Sequence, residues 1–153
     1  MTVTTADGYE ISTDKTRLNL ALIHQYLSTA SYWAKDIPLE LVQISIDGSF
    51  CFGLYSNKQQ IGFARVITDF ATFGYLADVF ILPEQQGKGL SKLLMEHIMG
   101  HPQLQGFRRW MLATRDAHGL YSQFGFVPLP HPERIMLQQS LTGYAPVPDD
   151  KNK

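Results

Sequence analysis

The stretch that decides the fold runs from Val79 to Leu94 and reads VFILPEQQGKGLSKLL. It starts as an apolar run typical of a buried strand, breaks at Pro83, and continues after two glycines as an apolar-periodic helix. A Gly-rich turn between a strand and a helix exposes unpaired backbone N–H groups at the positive end of the helix dipole. The stretch therefore predicts a binding site for a phosphate or pyrophosphate group.

The glycine spacing does not match the two commonest phosphate-binding loops. A P-loop requires Ser or Thr directly after its lysine, whereas Lys88 is followed by Gly89. A dinucleotide-binding fingerprint requires a third glycine where this chain has Lys92. Glycine spacing by itself therefore leaves the phosphate ligand open.

Composition and charge limit the classes of protein to which the chain can belong. The 153 residues are 44% hydrophobic, which indicates one folded domain; we place it at residues 1–141, followed by a loosely ordered tail at 142–153. The net charge of −1 gives no electrostatic reason to expect nucleic acid or an anionic membrane as a partner. A single cysteine, Cys51, excludes an intramolecular disulfide. Because the N-terminal segment also lacks the pattern of a secretory signal, we expect a cytoplasmic protein.

Hydrophobic periodicity and turn signals predict the element order β-α-α-β-β-β-α-β-α-β-β, which is a mixed α/β arrangement. Asp14 is expected to cap a first helix that ends near Leu27, and Pro38 to begin the second helix. The last two strands are expected near Phe126 and at residues 134–137. The other expected elements are strands at 9–12, 49–55, 60–68, 75–82 and 107–114, and helices at 90–98 and 116–124.

The Gly-rich turn and a tyrosine helix downstream together resemble the GNAT N-acetyltransferase family. The segment from Gln86 to Ser91 resembles the family's acetyl-CoA pyrophosphate loop, Q/R-x-x-G-x-G/A, with Ser91 in place of Gly or Ala. A second family stretch, A-x-x-L-Y-x-x-x-G-F, is matched at Ala117, Leu120, Tyr121, Gly125 and Phe126. The element order also fits. The resemblance therefore implies a mixed, mostly antiparallel central sheet flanked by helices on both faces.

The resemblance implies acetyl-CoA as the co-substrate. Backbone groups at Phe80 and Ile81 would pair with the pantetheine arm and polarise the thioester carbonyl. The pyrophosphate would bind the turn formed by Gln86, Gly87, Lys88, Gly89, Leu90 and Ser91. No metal is expected, because His97 and His101 have a metal-compatible spacing but lack a third ligand in the sequence.

Tyr121 is the candidate general acid. In the family, the tyrosine at this position lies near the CoA sulfur and often protonates the departing thiolate. An ordinary tyrosine pKa of about 10 keeps the hydroxyl protonated at neutral pH, so that it can donate. The alternative interpretation is a tyrosine that packs in the core.

Asp78 is the candidate general base. It shares a strand face with Leu76 and Phe80, where a carboxylate would be partly desolvated and therefore more basic than an exposed one. Many family members carry a glutamate one position earlier, where this chain has Ala77. The alternative interpretation is a structural aspartate, and Asp69 and Glu40 are weaker candidates for the base.

The acceptor pocket is expected to be aromatic, with walls formed by Tyr32, Trp33, Phe70 and Tyr75. We interpret the chain as an N-acetyltransferase that moves an acetyl group from acetyl-CoA to a primary amine by direct attack in a ternary complex. The acceptor would be a small-molecule or peptide amine. The alternatives are a non-catalytic acyl-CoA-binding sensor and a nucleotide-phosphate binder. Because family members often dimerise, a homodimer is left open.

Overall fold

The computed structural model describes residues 1–139 and 143–144. One six-stranded sheet has the order β1-β2-β3-β4-β5-β6, and each pair of neighbours is antiparallel except the parallel pair β5 and β6. The strands are β1 (Thr2–Thr4), β2 (Glu10–Ser12), β3 (Phe50–Ser56), β4 (Gln59–Thr68), β5 (Phe73–Ile81) and β6 (Arg109–Met111).

Helices cover both faces of this sheet, which confirms the predicted fold class. They are α1 (Leu20–Gln25), which continues as a π-helical turn (Tyr26–Ala30), α2 (Leu39–Asp47), α3 (Leu90–Met99) and α4 (His118–Ser122). One core joins α3 to the sheet through Phe52, Val66 and Leu94. A second core joins α1 and α2 to the opposite face through Ile23, Val42, Phe63 and Phe80.

The start of the first helix was predicted wrongly. Asp14 caps only one 3₁₀ turn, Lys15–Arg17, and the chain is extended again at Leu18. The helix itself begins at Leu20, because the side chain of Asn19 accepts a hydrogen bond from the backbone N–H of Leu22 at 3.0 Å. Strand β1 was missed, since its polar sequence lacks the apolar alternation that predicts a strand.

The two strands predicted near Phe126 and at residues 134–137 are wrong: within the described residues, no strand follows β6. Prolines at 128, 130 and 132 remove backbone donors from this part of the chain. The predicted strand at 107–114 shortens to β6. Of the predicted tail at 142–153, all but residues 143–144 lie outside the described part of the chain. In the described part, no helix is long and apolar enough to cross a membrane.

Candidate active site

The Gly-rich turn presents the groups that an anion site requires. Gly87 and Gly89 have φ values of 81° and 75°, a region that glycine enters without strain, and α3 begins directly afterwards. Within residues 1–139 and 143–144, no group accepts a hydrogen bond from the backbone N–H groups of residues 87–92. A Cβ atom built on either glycine would meet nothing within 4 Å, so the space above the turn is open.

Strand β5 carries a bulge at Asp78. Phe63 of β4 lies opposite Phe80, and Arg65 lies opposite Ala77, so two residues of β5 face one residue of β4. Asp78 takes the extra position with a φ of 53°, which aspartate tolerates better than most residues. The bulge reorients the last part of β5 relative to β4.

Strands β5 and β6 separate before the bulge. Their pairing covers only the start of β5 and ends at Tyr75 opposite Met111. The later residues of β5 therefore have no strand partner on that side within the described chain. Such a gap between parallel strands leaves main-chain groups available to a ligand arm.

Ile81 provides these main-chain groups. The backbone N–H of Leu82 donates to Ile61 of β4, and backbone groups alternate in direction along a strand, so those of Phe80 also point toward β4. The Ile81 carbonyl points to the other side, where the side chain of Gln86 donates to it at 3.1 Å. The N–H of Ile81 points the same way as its carbonyl, into the gap. Of the two predicted backbone positions, Ile81 therefore fits a ligand better than Phe80.

A cleft of about 950 Å³ occupies the gap between the two strands. Most of the predicted site residues line it: Tyr32, Trp33, Tyr75, Asp78, Phe80, Ile81, Gln86, Ser91 and Tyr121. Gly87, Lys88 and Gly89 complete the turn outside the cleft lining, and the Leu90 side chain is buried in the α3 core. Phe70 does not line the cleft. Its ring lies against Phe50 at 5.2 Å between centroids, so its predicted place in the acceptor pocket is wrong.

Tyr121 reaches the cleft from α4 and keeps its hydroxyl free: no described residue accepts a hydrogen bond from it. Burial, then the nearby Tyr32 and Asp116, raises the pKa of Tyr121 to about 12. The hydroxyl therefore stays protonated at every physiological pH. A protonated, unbonded hydroxyl that faces a cleft is available as a proton donor.

The carboxylate of Asp78 is already engaged on both oxygens. Oδ2 accepts from Nε of Arg65 at 2.6 Å, and Oδ1 accepts from the indole N–H of Trp33 at 2.8 Å. Arg65 also donates to the hydroxyl of Ser49 at 3.1 Å. The side chains of Arg65 and Asp78 are 17% and 9% exposed, so this ion pair is largely shielded from water. The geometry favours an anchor for the bulge, and the role of Asp78 as a base stays a prediction.

The loop that follows α1 spans the cleft and connects its two walls. Trp33 is bonded to β5 through Asp78, while the hydroxyl of Tyr32 accepts from the backbone N–H of Arg115 at 2.8 Å on the other side. The Arg115 guanidinium lies over the Tyr32 ring at 3.9 Å from the centroid. We call Tyr32, Trp33 and their partners Asp78, Arg65 and Arg115 the aromatic strap.

Sequence reasoning missed several residues of the cleft. Tyr26 stacks on Phe80 at 4.0 Å, and Tyr144 also lines the cleft and packs against the α1–α2 core. Arg65 could have been found, because an arginine inside an apolar strand requires a buried partner. The weaker candidates for the base, Asp69 and Glu40, do not line the cleft. Among the described residues, no group of three or more His, Cys, Asp or Glu could hold a metal ion.

Comparison with known proteins places this architecture in a family. The model of the GNAT acetyltransferase domain matches residues 47–128. A Gibberella zeae protein, named provisionally as an acetyltransferase, is 36% identical over 142 residues, which covers 78% of each chain. A Xanthomonas campestris crystal structure, described provisionally as a GNAT acetyltransferase, is 54% identical with a TM-score of 0.84, and the match covers 86% of this chain and 92% of that one.

A more distant structure was solved with acetyl-CoA. A Clostridium acetobutylicum protein, described provisionally as an acetyltransferase with acetyl-CoA, has a TM-score of 0.61 at 18% identity, with coverage of 86% of this chain and 95% of that one. At this identity the match shows a shared fold. The family model and the two nearer relatives decide the assignment: this chain belongs to the GNAT acetyltransferase family.

Proposed function

We propose that the protein transfers an acetyl group from acetyl-CoA to a primary amine by direct attack in a ternary complex. One observation carries the proposal: the Gly-rich turn at the N-terminus of α3, the edge of β5 and the Tyr121 hydroxyl all border a single cleft, and among the described residues none of these groups has a hydrogen-bond or strand partner on that side. These are the three kinds of group that hold a pyrophosphate, an extended amide-bearing arm and a thiolate leaving group.

The turn and the strand edge would orient acetyl-CoA. The N–H groups of residues 87–92 would donate to the pyrophosphate, and the pantetheine arm would lie along the open edge of β5. The N–H of Ile81 would then donate to the thioester carbonyl, where negative charge develops during attack. Gln86 holds the Ile81 carbonyl and thereby connects the turn to this donor.

The chemical steps balance with two proton transfers. The neutral amine attacks the thioester carbonyl, and the resulting tetrahedral intermediate breaks the C–S bond. The departing sulfur takes a proton from Tyr121, and the new amide nitrogen loses one proton to Asp78 or to water that it orders. An alkylammonium acceptor must first lose a proton, which costs roughly 4–5 kcal/mol at pH 7. The aromatic rings of the strap and Tyr26 would hold the acceptor.

The test combines binding with turnover. We expect calorimetry to show acetyl-CoA binding, and a panel of small amines and peptides to release free CoA thiol with at least one acceptor and yield the N-acetylated product by mass spectrometry. Binding without thiol release from any acceptor would replace the proposal with an acyl-CoA sensor. Affinity for nucleotides without affinity for acetyl-CoA would contradict it altogether.

A further inference from the structure

The described residues that line the cleft include four charged side chains: Arg65, Asp78, Arg115 and Asp116. Arg65 and Asp78 pair with each other at 2.6 Å. Arg115 and Asp116 form no ion pair with a described residue, and neither side chain makes a hydrogen bond within the described chain. Among the described residues, the cleft therefore offers one unpaired cation and one unpaired anion to a ligand.

The Arg115 guanidinium is held in place although no described group accepts from it. It lies over the Tyr32 ring at 3.9 Å from the centroid, and the Tyr32 hydroxyl accepts from the backbone N–H of Arg115 at 2.8 Å. The Tyr32 ring packs edge-on against Trp33 at 5.0 Å between centroids, and Trp33 is bonded to Asp78. Stacking orients a guanidinium without using its N–H groups. These groups stay available for a carboxylate in a contact of two hydrogen bonds.

The backbone on both sides of Asp116 is hydrogen-bonded, whereas its carboxylate is not. The N–H of Arg115 donates to Tyr32, and the N–H of Ala117 donates to the hydroxyl of Thr114 at 3.0 Å. An aspartate at the start of a helix usually accepts from the backbone N–H groups of the first turn. Here Ala117 is the N-cap of α4, and no side chain caps the helix. The chain therefore positions Asp116 and leaves its carboxylate for a ligand.

Asp116 lies close to the hydroxyl that we propose as the proton donor. Burial, then Tyr32, then the negative charge of Asp116 raises the pKa of Tyr121 on α4. Burial also raises the pKa of Tyr26, in the turn after α1, and the charge of Asp116 raises it further. The carboxylate therefore acts on hydroxyl groups from two different elements of the cleft. A free anion in this position attracts the positively charged nitrogen of an acceptor.

We propose that the acceptor is a free α-amino acid, whose carboxylate binds Arg115 and whose amino group binds beside Asp116 and Tyr121. This inference rests on the proposed function, because it assigns the acceptor of the same reaction. An α-amino acid carries one charge of each sign on groups joined through a single carbon atom. Arg115 and Asp116 present the complementary charges from neighbouring residues. A simple alkylamine would leave Arg115 without a counterpart in the cleft.

Arg115 also favours the reactive form of the amine. The amine attacks only when it is neutral, and the acceptor's own carboxylate stabilises the ammonium form. Pairing that carboxylate with a guanidinium offsets this effect, so a larger fraction of the bound amine is neutral.

Asp116 would take the proton that the nitrogen loses as the C–N bond forms, since its carboxylate is unbonded where that of Asp78 is engaged. The C–S bond breaks, and the sulfur takes the proton of Tyr121. Asp116 is exposed and releases its proton to water, from which Tyr121 regains one. An ammonium acceptor loses its first proton to water before attack, so the overall reaction releases one proton.

The test compares each standard amino acid with its carboxamide, which keeps the amine and the side chain but has no carboxylate. The carboxamides contain more neutral amine at neutral pH, so intrinsic reactivity favours them. We expect the opposite order. At least one amino acid should release CoA thiol and give its N-acetyl derivative by mass spectrometry. The kcat/KM of its carboxamide should be lower by roughly tenfold or more, the usual effect of losing a charged hydrogen bond.

Variants at Arg115 separate recognition of the carboxylate from the chemical step. Arg115→Gln should raise the KM of that amino acid by about tenfold or more, with little change in kcat and none in the kcat/KM of the carboxamide. Arg115→Lys keeps the charge without the planar fork and should give an intermediate KM. The matched control is Arg108→Gln. It changes an exposed arginine that does not line the cleft, and both kinetic constants should equal those of the wild-type protein.

Each other outcome is decisive. Thiol release with amines that lack a carboxylate, but with none of the amino acids, would overturn this inference and leave the proposed function standing. Equal kcat/KM for the amino acid and its carboxamide, or an unchanged KM in Arg115→Gln, would overturn it as well. Release with no acceptor of any kind would contradict the proposed function itself, and this inference with it.

Discussion

The Gly-rich turn and the aromatic strap both border one cleft, but the turn is built from consecutive backbone groups and the strap from distant side chains. The turn offers backbone N–H groups from consecutive residues, 87–92, which the sequence places side by side. The strap joins side chains from distant positions: Trp33 bonds to Asp78 across 45 residues, and Tyr32 bonds to Arg115 across 83. A local pattern can therefore predict the first region, whereas the second exists only once the sheet has formed.

The largest effect is expected at Tyr121, which lines the cleft that both regions border. Tyr121→Phe should lower the turnover number by roughly 10²–10⁴-fold, the usual contribution of a positioned acid. The dissociation constant of acetyl-CoA should change little, because the phenyl ring still fills the same space. Steady-state thiol release and calorimetry measure the two quantities. Tyr55→Phe is the control, since it removes a buried hydroxyl that lies outside the cleft. Unchanged turnover in Tyr121→Phe would remove its role as an acid.

Substitutions in the strap should lower the free energy of unfolding more than they weaken acetyl-CoA binding. Removing one partner of the shielded pair Arg65–Asp78 leaves an uncompensated charge, so Arg65→Gln should lower the free energy of unfolding by about 3 kcal/mol in urea titrations. If Asp78 is an anchor, Asp78→Asn combined with Arg65→Gln should cost little more than either change singly. If it is the base, Asp78→Asn should lower turnover by a further factor that Arg65→Gln does not reproduce. The double-mutant cycle, measured for unfolding and for turnover, distinguishes the two roles.

The same contrast explains which parts of the fold could be predicted. The strands and helices between residues 50 and 99 appeared close to their expected bounds, since strong apolar periodicity and clear turn signals define them. Strand β1 was missed because backbone pairing with β2 forms it without an apolar pattern. The strand predicted at residues 134–137 had the required composition, but the prolines before it lead the segment into solvent.

The candidate site also contains residues that the sequence predicts and contacts that it does not. The turn was predicted from two glycines between a strand and a helix, and Tyr121 from a stretch that resembles the family's; the structure places Gln86, Ser91 and Tyr121 on the cleft. The ion pair that occupies Asp78 could not be predicted, since it depends on a bulge that brings the carboxylate next to Arg65 of the neighbouring strand. The misplacement of Phe70 has a similar cause. Its aromatic side chain fits a pocket wall by composition, but the turn between β4 and β5 directs it toward Phe50.

Substitution in the Gly-rich turn should weaken acetyl-CoA binding, by a smaller factor than the loss of turnover expected for Tyr121→Phe. Gly89 has a φ of 75°, where a β-branched residue is strained by about 1–2 kcal/mol, and its side chain would enter the space proposed for the pyrophosphate. Gly89→Val should therefore weaken acetyl-CoA binding by roughly tenfold or more in calorimetry. Gly8→Val is the matched control. Gly8 has a φ of 83° and equally open surroundings, so the same strain arises far from the cleft and the affinity should not change. Equal binding by both variants would contradict the assignment of the turn.

The smallest effect concerns a turn whose N–H groups are already occupied. Between β4 and β5, the Asp69 carboxylate accepts from the backbone N–H groups of Ala71, Thr72 and Phe73 and from the Thr72 hydroxyl. The backbone hydrogen bond from Thr72, followed by those from its hydroxyl and from Ala71, holds the pKa of Asp69 well below its usual value. Here the protein supplies its own anion, whereas no described residue accepts from the backbone N–H groups at residues 87–92.

The lowered pKa of Asp69 predicts how the stability of the protein depends on pH, including the sign of the change. Because the folded pKa of Asp69 lies below the unfolded value of about 3.9, its contribution to stability is present above about pH 4 and is lost as the pH falls through the folded pKa. Asp69→Asn keeps an acceptor oxygen but has no charge to titrate. The variant should be less stable than the wild-type protein at pH 7 in urea titrations, and this difference should shrink steadily between pH 4 and pH 2. A constant difference over that range would mean that the carboxylate's charge contributes nothing to the turn.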